Sequence, residues 1–134
     1  MSAAVREALE TAVAELGWED RTAWENLAFT PVEGEPYQRV NFVFAAPANT
    51  EISAAYMEQG FLQLMLCYPA DTGWAEAAAR ADEIRAAFPR GRSLPPVGGV
   101  TTTIELTPEI MPAVFDQGRY CTPVRVRFFA PVSA

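Results

Sequence analysis

The side chains with chemical potential in this 134-residue chain are carboxylates, arginines and two cysteines. The 17 Asp and Glu could supply a general acid and a general base if two of them met in a cleft with their proton affinities pushed apart. No spacing brings such a pair together. Most carboxylates fall on the polar faces of expected helices or among residues 1–35, where solvated surface charge is the plain reading. Asp71 and Asp116 stand in turn contexts and read as cap and turn residues. The absence of His removes Ser-His-Asp and Cys-His arrangements and every His-based metal site. Lys is absent too, so no Ser–Lys pair can activate a hydroxyl. EF-hand spacing and the phosphate-cradling loops GxxxxGK[ST] and GxGxxG do not occur. Cys67 and Cys121 both fall in expected strands and read as two buried thiols, with a disulfide or a reactive thiol as the alternatives. The expectation is a protein that is not an enzyme and carries no cofactor or metal.

The arginines are more suggestive. Arg90 and Arg92 share the loop PRGR beside a possible sheet edge, and Arg125 and Arg127 form an outward stripe on the terminal strand. Against them stands an acidic first third: residues 1–35 hold eight acids and two Arg, whereas residues 36–134 hold nine acids and eight Arg. The net charge of −7 gives no global attraction to nucleic acid. One acidic region and several Arg patches suit a head-to-tail association that closes into a ring, with an ordinary mixed-charge surface as the alternative. No apolar run approaches the roughly 18 residues needed to cross a bilayer. The first residues also lack the pattern of a signal peptide, so the expectation is a soluble chain with no membrane partner.

The elements that must position these residues follow from periodicity. Residues 3–16 place Val5, Ala8, Leu9, Ala12, Val13 and Leu16 on one helical face, with Ser2 as cap and Gly17 as stop. Residues 24–29 read as a strand or the start of one. Residues 37–44 alternate, with Val40, Phe42 and Phe44 on one side and Arg39, Asn41 and Val43 on the other. A hairpin is expected between Trp24 and Phe44. Residues 45–59 read as a long loop, with a short helical turn near 53–58 as the alternative. The central unit spans Gly60 to Gly91. Its strand, 61–68, is expected to be buried on both faces. A Pro-Ala-Asp-Thr-Gly turn caps the next helix through Asp71 or Thr72, and Trp74, Ala78, Ala81, Ile84, Ala87 and Phe88 line that helix's apolar face. Its polar face pairs Glu76 with Arg80 and Asp82 with Arg85, and Pro89 and Gly91 stop it. Residues 100–106 form a further strand, 108–118 an irregular link, and 120–132 the last strand, which Pro123 and Pro131 keep from being central throughout. The fold class is α+β: one domain over residues 1–134, a mostly antiparallel sheet of about five strands, two main helices packed on one face, and long loops.

The ordered set AVREAL, WENLAFTPVEGEPYQRV, GFLQLMLCYPADTGWAEA, ADEIRAAFPRG and RYCTPVRVRFFA resembles the phage tail-terminator-like family, from about Val5 to Ala130. The sharpest elements are Asn26, Phe29 and Pro31 in N-x-x-F-x-P, the Pro36-Tyr37 that follows, Tyr68-Pro69 through Gly73, and the Phe88-Pro89-Arg90-Gly91 stop. The resemblance implies a small α+β subunit of a virion tail, assembled in the bacterial host cytoplasm as a hexameric ring. That ring would cap the tail tube, stop its polymerisation and offer a joining surface for the head. The implied partners are further copies of the chain, the tail tube protein and a head–tail connector protein. No catalytic residues come with it. Residues 45–59, which include Tyr56, and residues 110–119 would then supply tube or neighbour contacts. Arg90, Arg92 and Arg119 would face an acidic neighbour, and Arg125 and Arg127 are further interface candidates. Competing readings are another head–tail joining or minor tail protein, a small-molecule-binding module lined by Leu62, Leu64, Leu66, Trp74, Phe42 and Phe44, and an enzyme using two carboxylates.

Overall fold

The computed structural model describes residues 3–49 and 52–133, so Ser2 and its expected capping role lie outside the described residues. Along the chain come α1 (Ala3–Ala14), a 3₁₀ turn (Glu19–Arg21), β1 (Thr22–Ala23), β2 (Tyr37–Phe44), β3 (Tyr56–Pro69), α2 (Ala75–Ala87), β4 (Thr103–Ile104), β5 (Glu109–Ile110), β6 (Val114–Asp116) and β7 (Arg119–Val132). The α+β class is as expected, but the described residues form seven strands rather than about five. The order is β1-β2-β3-β7-β4, with β5 and β6 also paired to the far side of β7. All pairings are antiparallel except β1 with β2. Among the described residues no helix is long and apolar enough to cross a membrane.

The backbone of the sheet is one long ladder. β3 and β7 pair in register from Tyr56↔Val132 to Pro69↔Arg119, so each residue of one strand has a partner on the other. Side chains alternate along a strand, and this splits both strands cleanly. Leu62, Leu64, Leu66, Val124, Val126 and Phe128 are fully buried, and join Val40 and Phe42 of β2 on an inner face. The helices contribute Val5, Leu9, Val13, Ala77, Ala81 and Ile84 to the same core cluster. The stripe read for α1 is the one it buries, and Gly17, at φ +92, turns the chain away from it.

Several expectations are corrected. The strand 61–68 is longer at its start and is not buried on both faces: Phe61, Gln63 and Met65 are only half-buried. Gly60 lies within β3 instead of bounding it. A Cβ there would come 2.2 Å from the Val43 carbonyl oxygen of β2, so a side chain is excluded where the two backbones meet. Tyr56 to Gln59 are strand, which shortens the loop 45–59 and displaces the helical turn considered there. Residues 24–29 are irregular, and no hairpin joins them to β2: Thr22 and Ala23 pair in parallel with Gln38 and Arg39. A parallel neighbour needs a long return path. Residues 24–36 provide it, turning at Asn26 (φ 58) and Gly34 (φ 81).

α2 is rotated from its expected face. Trp74 is its N-cap without a side-chain cap bond, because the Thr72 hydroxyl donates to the Pro69 carbonyl at 2.8 Å and Asp71 sits at φ 63. Ala77 and Arg80 are buried where Trp74 and Ala78 were expected. The Arg80 guanidinium donates to the Leu16 carbonyl at 3.1 Å and to Glu83 at 3.0 Å, and lies 4.3 Å from the Trp18 ring centroid. Arg85 donates twice to the Pro108 carbonyl. Those bonds replace the expected Glu76–Arg80 and Asp82–Arg85 pairs.

The expected strand 100–106 keeps only β4, and the link 108–118 contains β5 and β6. β7 is interior to the sheet, contrary to expectation, because three short strands cover its far side. The prolines still show: Pro123 falls between the β6 and β5 pairings, where its carbonyl accepts from the Met111 N–H at 2.8 Å, and Pro131 lies beyond β4. Cys67 and Cys121 are not thiols. They stand directly opposite each other on β3 and β7, Cα atoms 4.1 Å apart, and are joined as a disulfide. Their separation of 54 residues hid a register that only the ladder reveals.

Candidate assembly surfaces

The outer face of the sheet carries the odd-numbered residues of the long strands. Among them Arg125 and Arg127 converge on one aromatic ring, their guanidinium carbons 4.8 Å and 5.8 Å from the Phe61 centroid. Arg125 also donates through Nε to Gln63 Oε1 at 3.1 Å. Phe61, Gln63 and Arg125 are half-buried, Arg127 is exposed, and Val43 of β2 is 47% exposed. The stripe read from alternation is therefore present and outward. It is not a bare positive patch: Glu109 of β5 stands directly opposite Arg125, and Asp116 of β6 opposite Arg119. Opposite charges facing across a ladder favour that pairing by about 0.2–1 kcal/mol, so these arginines also help hold the short strands.

Arg119 sits at the other end of β7, eight residues from Arg127, or about 26 Å along an extended strand. It works inside the chain. Its guanidinium donates to the carbonyls of Glu35 at 2.6 Å and Val32 at 2.9 Å, and its Cζ lies 5.0 Å from the Tyr37 ring centroid. Beside it Arg39 bonds the Tyr37 hydroxyl and forms an ion pair with Asp116 at 3.2 Å. The Tyr37 and Asp116 bonds raise the Arg39 pKa against the opposing effect of burial. The two Arg119 bonds hold Val32 and Glu35, the far part of the segment 24–36, over one end of the outer face. There Phe29 packs on Tyr37, ring centroids 5.5 Å apart, and against Cys67 and Cys121. The N-x-x-F-x-P segment thus has a structural job: Asn26 turns the chain and Phe29 is its anchor.

Arg90 and Arg92 belong to neither group. Arg90 is exposed in the turn after α2. Arg92 donates to the Ala87 carbonyl, approaches Glu15, just past α1, at 4.0 Å and lies 5.8 Å from the Phe88 ring centroid, which links the end of α2 to the end of α1. Tyr56 opens β3 opposite Val132 and is half-buried.

A further surface was missed by the sequence reading. Trp74 (69% exposed) and Phe115 (76% exposed) are the most exposed aromatic side chains at this end of the sheet. Trp74, Ile110, Met111 and Tyr120 line an open groove of about 310 Å³, and Phe115 packs edge-on against Tyr120 at 5.9 Å. Trp74 was assigned to the core by a helical phase one residue out. Phe115 was hidden in a supposed link, although its position just before Asp116-Gln117-Gly118 is a hairpin signal. The Leu62, Leu64, Leu66 and Phe42 side chains proposed as a ligand-pocket lining are packed in the core cluster. Among the described residues no group of three or more acids or cysteines is placed to hold a metal ion.

This arrangement of sheet, paired helices and covering segment has relatives. The sequence matches the phage tail terminator protein family over residues 1–128. The chain belongs to that family. Two solved structures share the terminator fold at low identity. One, known only by a sequence identifier, has 17% identity and a TM-score of 0.73, with 96% of this chain and 97% of that chain covered. The other is a chain of the virion of a native gene transfer agent particle, with 18% identity, a TM-score of 0.55, and 99% and 100% covered. No curated protein matches. Family membership identifies the chain as a structural component of a phage-type tail.

Proposed function

We propose that this single-domain chain terminates a tail tube. Copies, six in the expected arrangement, close into a ring on the growing end, block further tube subunits and leave a surface for the head connector. The observation that carries the reading is membership of the terminator family across residues 1–128. Repeated identical copies close into a ring only through a heterologous interface, in which two different patches of the subunit meet. The chain offers such unlike patches: the Phe61–Arg125–Arg127 stripe, the Trp74 groove with Phe115 beside it, and the acids Glu7 on α1 and Glu15 just past its end, both exposed. Arg90, Arg127 and Tyr56 remain interface candidates in this reading. Arg92, Arg119 and Arg125 serve contacts within the subunit first, and the segments 45–55 and 110–119 contact the tube or the next copy. Assembly takes place in the bacterial host cytoplasm, without nucleic acid or membrane. Deletion of the gene in its parent phage or prophage, followed by electron microscopy of induced particles, tests the proposal. Overlong headless tubes of variable length are expected, and tails of normal length with heads attached would remove the terminator role.

A further inference from the structure

Residues 24–36 cover something specific. Cys67 and Cys121 are fully buried, yet they lie on the outer face of the sheet, where little else is buried. Their shelter is a small cluster separate from the main core: Tyr37, Met65, Ala23 and the Phe29 ring. Phe29 comes from the covering segment, between two ties: Glu25 bonds the Phe42 N–H and Arg6 at its start, and Arg119 holds its far end. The Arg119 guanidinium holds the carbonyls of Val32 and Glu35, and Arg119 is only two residues from Cys121 on the same strand. The disulfide and the far end of the covering segment therefore share one support.

The sheet itself has no need of the bond. The two cysteines form one register pair in a ladder that runs from Tyr56↔Val132 to Pro69↔Arg119, so pairing sets the two sulfurs side by side whether or not they are joined. Making or breaking the bond changes no topology.

We propose that residues 24–36 are a lid over a redox-sensitive lock. With the lid seated, the Cys67–Cys121 bond is out of reach of small thiols, and with the lid lifted it exchanges. The closing step balances with a small-molecule disulfide as oxidant. A thiolate of one cysteine attacks the small disulfide and releases one small thiol. The second cysteine attacks the resulting mixed disulfide, forms the Cys67–Cys121 bond and releases the second small thiol. Opening is the reverse, driven by excess thiol. The joined state holds the last pairs of the ladder, and with them the Arg119 anchor, against fraying, and the dithiol state loosens that end of the lid. Such a lock stands open where thiols are kept reduced and closes in an oxidising medium. This inference concerns the subunit alone and stands apart from the terminator reading.

The test is reduction of the full-length protein by dithiothreitol in native buffer, quenched with iodoacetamide and followed by intact mass. Phe29→Ala is expected to speed reduction about tenfold by lowering the energy of local opening. Leu64→Ala serves as the second variant, since it weakens the core without touching the lid. If reduction rates of wild type and both variants follow global stability alone, the bond opens only by unfolding and the lid is overturned. The companion measurement is cleavage by a Glu-specific protease: the reduced protein is expected to be cut at Glu33 and Glu35 faster than the oxidised one. Equal cleavage would overturn the coupling between bond and lid.

Discussion

The two faces of the same sheet obey different rules. On the inner face Leu62, Leu64, Leu66, Val124, Val126 and Phe128 are fully buried, in one core cluster with residues of both helices. On the outer face Phe61, Met65 and Val43 stay partly open, mixed with Gln63, Arg125 and Arg127. A solvated sheet face is ordinarily polar. One that carries Phe, Met and Arg resembles the composition of protein interfaces, where aromatics, Met and Arg are enriched. The inner face holds the subunit together, and the outer face is available to others.

The sharpest way to break this contrast is to truncate each face in turn. Leu64→Ala is expected to lower unfolding free energy by about 2–5 kcal/mol, whereas Arg127→Ala should stay within about 0.5 kcal/mol. Urea denaturation measures both, and equal losses would erase the distinction. Gly60→Ala probes the join between β2 and β3, with the added Cβ at 2.2 Å from the Val43 carbonyl oxygen. Forcing the strands apart should lose about 1–3 kcal/mol, with faster amide exchange confined to β2. Unchanged exchange there would show that the backbones accommodate the methyl.

Glu25→Gln is the mildest change. Burial pushes the Glu25 carboxyl up, but hydrogen bonds from Arg6 and from the Phe42 backbone N–H, with the Arg6 charge, bring its pKa below the ordinary value. A group lowered on folding adds stability above its unfolded pKa, and that stability disappears as pH falls through the folded one. The variant should lose about 1 kcal/mol at neutral pH and show a shallower loss of stability on acidification. An acid transition identical to that of wild type would remove Glu25 from the account.

Periodicity made the inner face legible, because alternation and the helical stripe both record burial. α1 and β2 were readable nearly to the residue for that reason. α2 was misphased because Ala is abundant all round it: when Ala77 and Ala78 both fit, the decision passes to a single large residue, and Trp74 points outward as the cap. The far side of β7 was illegible because strands of two or three residues leave no period to detect. The disulfide and the Phe29 shelter were illegible because they depend on which strands pair. Of the site residues, Arg125 and Arg127 showed in the pattern. Arg92 and Arg119 were candidates too, but their contacts within the subunit were not legible, because their backbone carbonyl partners carry no signature in side-chain types.

The Glu25 contact with Phe42 has one more consequence. β1 covers only Gln38 and Arg39 of β2, so the rest of that strand faces outward along its edge. The Phe42 N–H, which an incoming strand would use, is already bonded to Glu25 Oε1 at 3.1 Å. The carboxylate, pinned by Arg6, occupies the position of a neighbouring strand's carbonyl oxygen. An exposed strand edge is a template for uncontrolled addition of further chains. One buttressed carboxylate thus occupies a bonding position on this edge, and replacing it is expected to leave the subunit folded but more prone to edge-to-edge association.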